Sequence, residues 1–307
     1  MHHEYAVEPR VMGSSWEMFR YLIEKFGFDK GRLIAEYPRK GWFRAVYDAA
    51  GAMPATQKSR FEILLKGAKG TKVVRTGRPY DAGLDWLPNA LTEHNRRPFQ
   101  AIIAAENSGA NDCVLVAAEM DENNPRMLAP NSMSVPRDAT SLAKAVSALL
   151  VHGSSILVVD PFYDPFNPRY KDAIRECLRI VKEKNASAIC EVHFRYHPNG
   201  LSPSAIEREA GNIFPGVIPD GIAIRIFCWK ERPGGADFHA RYVLSNVGGI
   251  GVDAGFSAEG GHQTTDMHRM DGSFCQKRMA MFDKAATAYE LVEPVLQIDA
   301  AGRVTYV

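Results

Sequence analysis

His239 and Arg241 stand two residues apart in the run Phe238-His239-Ala240-Arg241-Tyr242-Val243-Leu244. Read with the period of a β-strand, Phe238, Ala240, Tyr242 and Leu244 share one face, and His239, Arg241 and Val243 the other. An imidazole and a guanidinium then point the same way. Placing both in an apolar run is costly unless an anion or a carboxylate meets them, so the pattern predicts an anion site. Gly248, Gly249, Gly251 and Gly255 follow, and they permit a tight turn with close approach of backbone beside a ligand.

A second stretch divides as cleanly. In Ile189-Cys190-Glu191-Val192-His193-Phe194-Arg195-Tyr196-His197, the residues Cys190, Val192, Phe194 and Tyr196 alternate with Glu191, His193, Arg195 and His197. If this strand neighbours the His239 strand, Glu191 can hold His239 in one tautomer, as a carboxylate partner does for catalytic histidines. The same alternation also fits a solvent-facing strand with a Glu–Arg pair. As zinc ligands His193 and His197 are poorly spaced, since four strand residues span about 13 Å. Asp160 ends the apolar run Ile156-Leu157-Val158-Val159, the end of a strand where carboxylates of open α/β sheets often act; Asp-Pro is equally a turn signal. No Walker loop, Gly-x-Ser-x-Gly elbow or His-Glu-x-x-His occurs.

His239-x-Arg241, then four residues to Asn246, then Gly255-Phe256-Ser257 resembles a degenerate form of the phospholipase D-like motif, His-x-Lys, four residues, Asp, then Gly-Ser. The strand ending in Asp160-Pro161-Phe162 resembles the opening strand of single-motif members of that superfamily. The likeness spans roughly residues 150–307. Arg241 stands for Lys, Asn246 for Asp, and the spacing to the Gly-x-Ser element is longer. The resemblance implies a phosphodiesterase, foremost a nuclease, that acts through a phosphohistidine intermediate and needs no metal or other cofactor. Its nucleophile would be His239, its phosphate clamp Arg241 and its orienting acid Glu191 or Asp160, with Asn246, Ser257, Asp160, His193 and Arg195 meeting substrate. It implies nucleic acid or another phosphodiester as partner, a homodimer supplying the second histidine, and a bacterial defence setting on family grounds alone. The departures also fit a catalytically inactive module that binds phosphate or nucleic acid or joins a complex.

The elements that must position these residues follow from periodicity. Beyond a domain boundary expected near residue 138, strands at 156–160, 187–196 and 222–229 alternate with helices at 169–184 and 203–212, which predicts a mixed sheet with helices on both faces over residues 139–307. A helix over 279–289 and a closing hairpin at 295–307 complete it. Residues 1–138 predict a smaller α+β domain. Residues 1–13 read as an irregular lead-in, helices are expected after Ser15 and over 55–69, and strands at 99–104 and 113–118. Basic segments Arg39–Arg44 and Lys69–Arg78 either contact substrate or are solvated cations beside a core face.

The 307 residues suffice for two domains, and a formal net charge of +1 gives no global field for nucleic acid. Five scattered cysteines with no Cys-x-x-Cys spacing suggest reduced thiols and a cytoplasmic home. No run approaches the roughly 20 apolar residues of a membrane span, so no stable membrane insertion is expected.

Overall fold

A computed structural model describes residues 1–121, 123–198 and 200–307. It is a mixed α/β chain with two sheets, and it divides between Asn131 and Ser132 into two compact units.

The first unit alternates strand and helix. Strands β1 (His3–Val7), β2 (Arg32–Ala35), β3 (Val73–Val74), β4 (Ala101–Ala104) and β5 (Val114–Val116) pair in the order β3-β2-β1-β4-β5, all parallel. Helices α1 (Pro9–Met12), α2 (Trp16–Lys25), α3 (Trp42–Ala49), α4 (Ala55–Ala68) and α5 (Trp86–Arg96) form the connections as far as β4, and a loop joins β4 to β5. This is a doubly wound arrangement, more regular than the α+β domain expected. The supposed lead-in contains the central strand: Tyr5, Ala6 and Val7 are fully buried. Ser15 caps α2 by accepting a hydrogen bond from the Met18 amide at 3.1 Å.

The first basic segment matches one of its two readings, solvated cations beside a core face, since Arg39, Lys40 and Arg44 are exposed, whereas the second turns Lys72 and Arg78 inward. Trp42 is core and donates to the Val7 carbonyl at 2.8 Å. Arg78 is buried, paired with Glu4 at 2.7 Å and Glu93 at 3.0 Å, and lies over the Phe99 ring. Lys72 donates to the Ile23 and Phe26 carbonyls, both at 2.7 Å, closing the end of α2.

The second unit holds a nine-stranded sheet. In chain order its elements are β6 (Ser132–Arg137), α6 (Ala139–His152), β7 (Ser155–Val159), α7 (Pro168–Lys184), β8 (Ile189–Arg195), α8 (Pro203–Ile213) and β9 (Ala223–Glu231). Then come β10 (Tyr242–Ser245), β11 (Gly248–Val252), β12 (Gly260–Arg269), α9 (Gly272–Ala280), β13 (Tyr289–Asp299) and β14 (Val304–Tyr306). The spatial order is β14-β13-β9-β8-β7-β10-β11-β12-β6, with β7, β8 and β9 parallel and the other neighbours antiparallel. Long apolar runs suit strands covered on both sides.

Three expectations are corrected here. The helix expected over 279–289 starts earlier: Asp271 accepts from the Ser273 amide at 2.8 Å and the Phe274 amide at 3.2 Å, and α9 is over by Ala280. The His239 strand is shorter than its alternation suggested, since pairing begins only at Tyr242. The polar face of β8 is not solvated: His193 is wholly buried among Phe227, Trp229 and Phe282.

Candidate functional site

Strand register decides which side chains meet. Val159 of β7 lies opposite His193 of β8 and Tyr242 of β10, and His193 lies opposite Phe227 of β9. One step beyond this row, Asp160 and Arg241 become neighbours on adjacent strands. Two steps beyond, Arg195 lies opposite Trp229, and β9 runs on to Glu231. Asp160, Arg195, Glu231 and Arg241 therefore collect at the end of the sheet where β7, β8 and β9 terminate, the edge at which open α/β sheets bind ligands.

Asp160 is almost fully buried. Its Oδ1 accepts from the Phe162 amide at 2.9 Å and its Oδ2 from the Phe256 amide at 3.0 Å. Arg241 Nε stands 3.9 Å from Oδ1. Burial raises the Asp160 carboxyl, opposed by the two amide donors and by Arg241 and Arg137. Gly255 makes this geometry available: its φ is +97°, and a Cβ there would lie 3.1 Å from Asp160 Oδ2 and 3.5 Å from Arg241. Arg241 also donates to the Asp253 carbonyl at 3.0 Å.

His239 is exposed, and its carboxylate neighbours are Glu231 and Asp237. One ligand atom from each of the three lies within 4.8 Å of the others. Glu231 Oε1 accepts from the Phe238 amide at 2.7 Å and from Arg195 Nη1 at 3.2 Å. The Phe238 amide first, then Arg195 and His239, holds the Glu231 carboxyl below the usual range. It is thus an ionised acceptor beside an imidazole. The three side chains also have spacing and donor types suited to a divalent cation.

Beyond Glu231 the rim continues. Arg195 Nε donates to His197 Nε2 at 3.3 Å, and the half-exposed Phe162 ring lies 5.0 Å from the Arg241 guanidinium and 5.4 Å from that of Arg195. On the opposite flank, Ser257 follows the Phe256 amide. Its hydroxyl accepts from Arg137 Nη2 at 2.6 Å and donates to Glu259 at 3.1 Å, and Glu259 also pairs with Arg169. The Tyr170 phenol, pushed up to about 12 by burial, also senses the charges of Asp160, Arg241, Glu259 and Arg137.

Of the residues singled out from sequence, His239, Arg241, Asp160, Ser257 and Arg195 come together here, and three do not. Glu191 does not reach His239 as its orienting acid; it bonds His193 Nε2 at 3.2 Å and lies 3.6 Å from Arg225. His193 does not face substrate: Trp229 donates to its Nδ1 at 3.0 Å, and as an indole can only donate, the hydrogen of His193 is on Nε2, toward Glu191. Asn246 lies at the far end of β10, where its Oδ1 accepts from the Ser154 and Ser155 amides at 2.7 and 3.3 Å. That turn is about 17 Å from Arg241 along the strand. Sequence reasoning missed Glu231, Phe162, His197 as a rim residue, and Arg137. The available signal was the strand end itself, since Glu231 closes β9 as Asp160 follows β7.

The first unit has a second concavity at its sheet's reversal point between β1 and β4, a cavity of about 450 Å³ lined by Arg10, Ser14, Met18 and Glu106. The buried Glu8 accepts from the Ala105 amide at 2.8 Å beside it and pairs with Arg10. None of the residues chosen from sequence lies there.

No family profile and no curated protein sequence matches the chain. Among solved structures it is similar to a phospholipase D family member, Nuc, from Salmonella typhimurium, at 11% identity and a TM-score of 0.33, over 54% of this chain and 99% of that one. It is also similar to TrmBL2, an archaeal chromatin protein whose structure is described as showing a novel mode of DNA binding. That match has 12% identity and a TM-score of 0.27, over 54% of this chain and 56% of that one. Both likenesses are distant.

Proposed function

We propose that the second unit is a phosphodiester-handling domain that cleaves its substrate through His239, nucleic acid being the substrate that best suits the site. The observation that carries this reading is the convergence of His239, its ionised neighbour Glu231, and the guanidiniums of Arg195 and Arg241 on one sheet edge. Two planar forks suit phosphate oxygens, and Arg supplies them with fixed geometry. In the reaction, a lone pair of the His239 ring attacks phosphorus, a P–N bond forms and the P–O bond to the leaving alkoxide breaks. Arg241 and Arg195 balance the charge on the equatorial oxygens. Glu231 takes the role expected of Glu191, orienting the ring and stabilising the positive charge it gains. Water then cleaves the P–N bond and returns the imidazole. The second histidine, which protonates the leaving group, comes from a second copy of the chain, in keeping with the motif that His239 and Arg241 resemble.

A second reading is favoured by the close grouping of Glu231, Asp237 and His239, which suits a divalent cation as well as an oriented nucleophile. One experiment separates the two: cleavage of labelled single- and double-stranded DNA and RNA by wild type and His239→Ala, with and without EDTA. Activity that persists in chelator and vanishes in the variant supports the phosphohistidine route. Loss in EDTA with recovery on adding metal supports the cation. Binding without cleavage, weakened in Arg241→Ala, reassigns the unit as a phosphate-binding module.

A further inference from the structure

The loop leaving β7 carries an exposed aromatic ring that the phosphate chemistry does not use. Phe162 is 43% exposed although its own amide is fixed on Asp160 Oδ1. A single exposed apolar ring is ordinary on a protein surface, but nearby groups set the position of this one. The guanidiniums of Arg241 and Arg195 lie 5.0 and 5.4 Å from its centre, and the His197 ring stands 6.5 Å away with its plane inclined by only 23°. Arg195 is in turn fixed by Glu231 and by His197. The result is a planar apolar surface at the mouth of a cationic site, bordered by a second planar ring. Cations that track a backbone beside rings that accept bases are the means by which proteins hold unpaired nucleotides.

We propose that Phe162, with His197 beside it, is a stacking platform for one unpaired base of a nucleic acid strand whose phosphate lies between Arg195 and Arg241. The inference rests on the phosphodiester reading above and adds a substrate class to it: single-stranded or locally opened nucleic acid. In a duplex each base has its π-faces covered by its neighbours, so a fully paired site has no face to offer the ring without unstacking first. A lipid headgroup is the other phosphodiester that an exposed aromatic suits. The fixed planar partners of Phe162 favour a flat ligand over an acyl chain, and Phe166, exposed on the same loop, serves to tell them apart.

The test uses the full chain and four probes: a short oligothymidylate, an abasic oligomer of the same length and charge, the corresponding duplex, and vesicles containing phosphatidylserine. Wild type binds the oligothymidylate more tightly than the abasic oligomer or the duplex. Phe162→Ala reduces oligothymidylate affinity about 5- to 100-fold and leaves the abasic oligomer unchanged. Phe162→Trp retains tight binding, which guards against a folding defect, and Phe166→Ala has no effect. Equal wild-type affinity for oligothymidylate and abasic oligomer, or tighter binding of duplex, overturns the stacking platform while leaving the phosphate site standing. Vesicle binding lost in both Phe162→Ala and Phe166→Ala reassigns the loop to a lipid surface. Abasic binding indifferent to Arg195→Ala and Arg241→Ala removes the phosphodiester reading itself.

Discussion

In the proposed reaction, Glu231 is the residue on which the chemistry turns. Replacing its carboxylate with an amide in Glu231→Gln keeps the Phe238 contact but removes the charge that an imidazolium at His239 requires. Activity should fall by about 100-fold or more, in the range for loss of a positioned acid or base, with little change in unfolding midpoint. Glu191→Gln should do the reverse, costing stability and sparing turnover; steady-state kinetics beside thermal unfolding checks both. His193 gives a pH signature. Burial pulls its imidazole down from the ordinary 6.5, against the pull of Glu191. The unfolded chain therefore binds more protons than the fold in the window just below about 6.5, and stability rises with pH there. The stabilisation is complete above that value and is lost as pH falls through the lowered one. Unfolding midpoints should drop on acidification in wild type and change less in His193→Gln. His239, Arg241 and Asp160 were legible because an ionisable group in an apolar run is conspicuous. Glu231 was not, because its partner lies across two strand ends and its own run, Trp229-Lys230-Glu231-Arg232, reads as a strand running into solvent.

At the scale of elements, the turn through Gly255 fixes the site as firmly as any strand. Gly255→Ala puts a Cβ into a backbone at φ +97° and against Asp160 Oδ2, so it should cost about 1–3 kcal/mol. Chemical denaturation should register that loss, and oligonucleotide titration should show weaker binding, since Asp160 and Arg241 must move apart. Asp271→Ala, which removes the cap of α9, should cost about 1 kcal/mol without altering binding. Longer elements were read correctly where periodicity was strong: α7 keeps Ala173, Ile174, Cys177, Leu178 and Val181 buried as its stripe predicts. β1 and α9 were missed for opposite reasons. β1 opens with His3 and Glu4 and offers only Tyr5, Ala6 and Val7 as an apolar run, too short to stand out. α9 has one buried side chain, Cys275, and its only clear signal was the cap.

For the whole molecule, a net charge of +1 means that binding must depend on local cations and not on a long-range field. If Arg195 and Arg241 supply the two main phosphate contacts, log affinity for a single strand should fall against log salt with a slope of about −1.4. A much steeper slope in a salt titration would show that other surfaces carry the interaction. The mixed α/β character was legible from alternating patterns. The strand order of the large sheet was not, because β6 and β12 bury one apolar side chain each, Val135 and Met267, and pair across a long stretch of chain. That pairing has a consequence during synthesis. Among the described residues β6 pairs with no strand but β12, Ser132 opposite His268, and α6 through β11 lie between them in sequence. The first strand of this unit to be synthesised therefore has no strand partner until most of the unit has followed it. At 5–20 residues per second that interval is on the order of ten seconds, during which an unpaired strand carrying the exposed Met133 is open to chaperones or to neighbouring nascent chains.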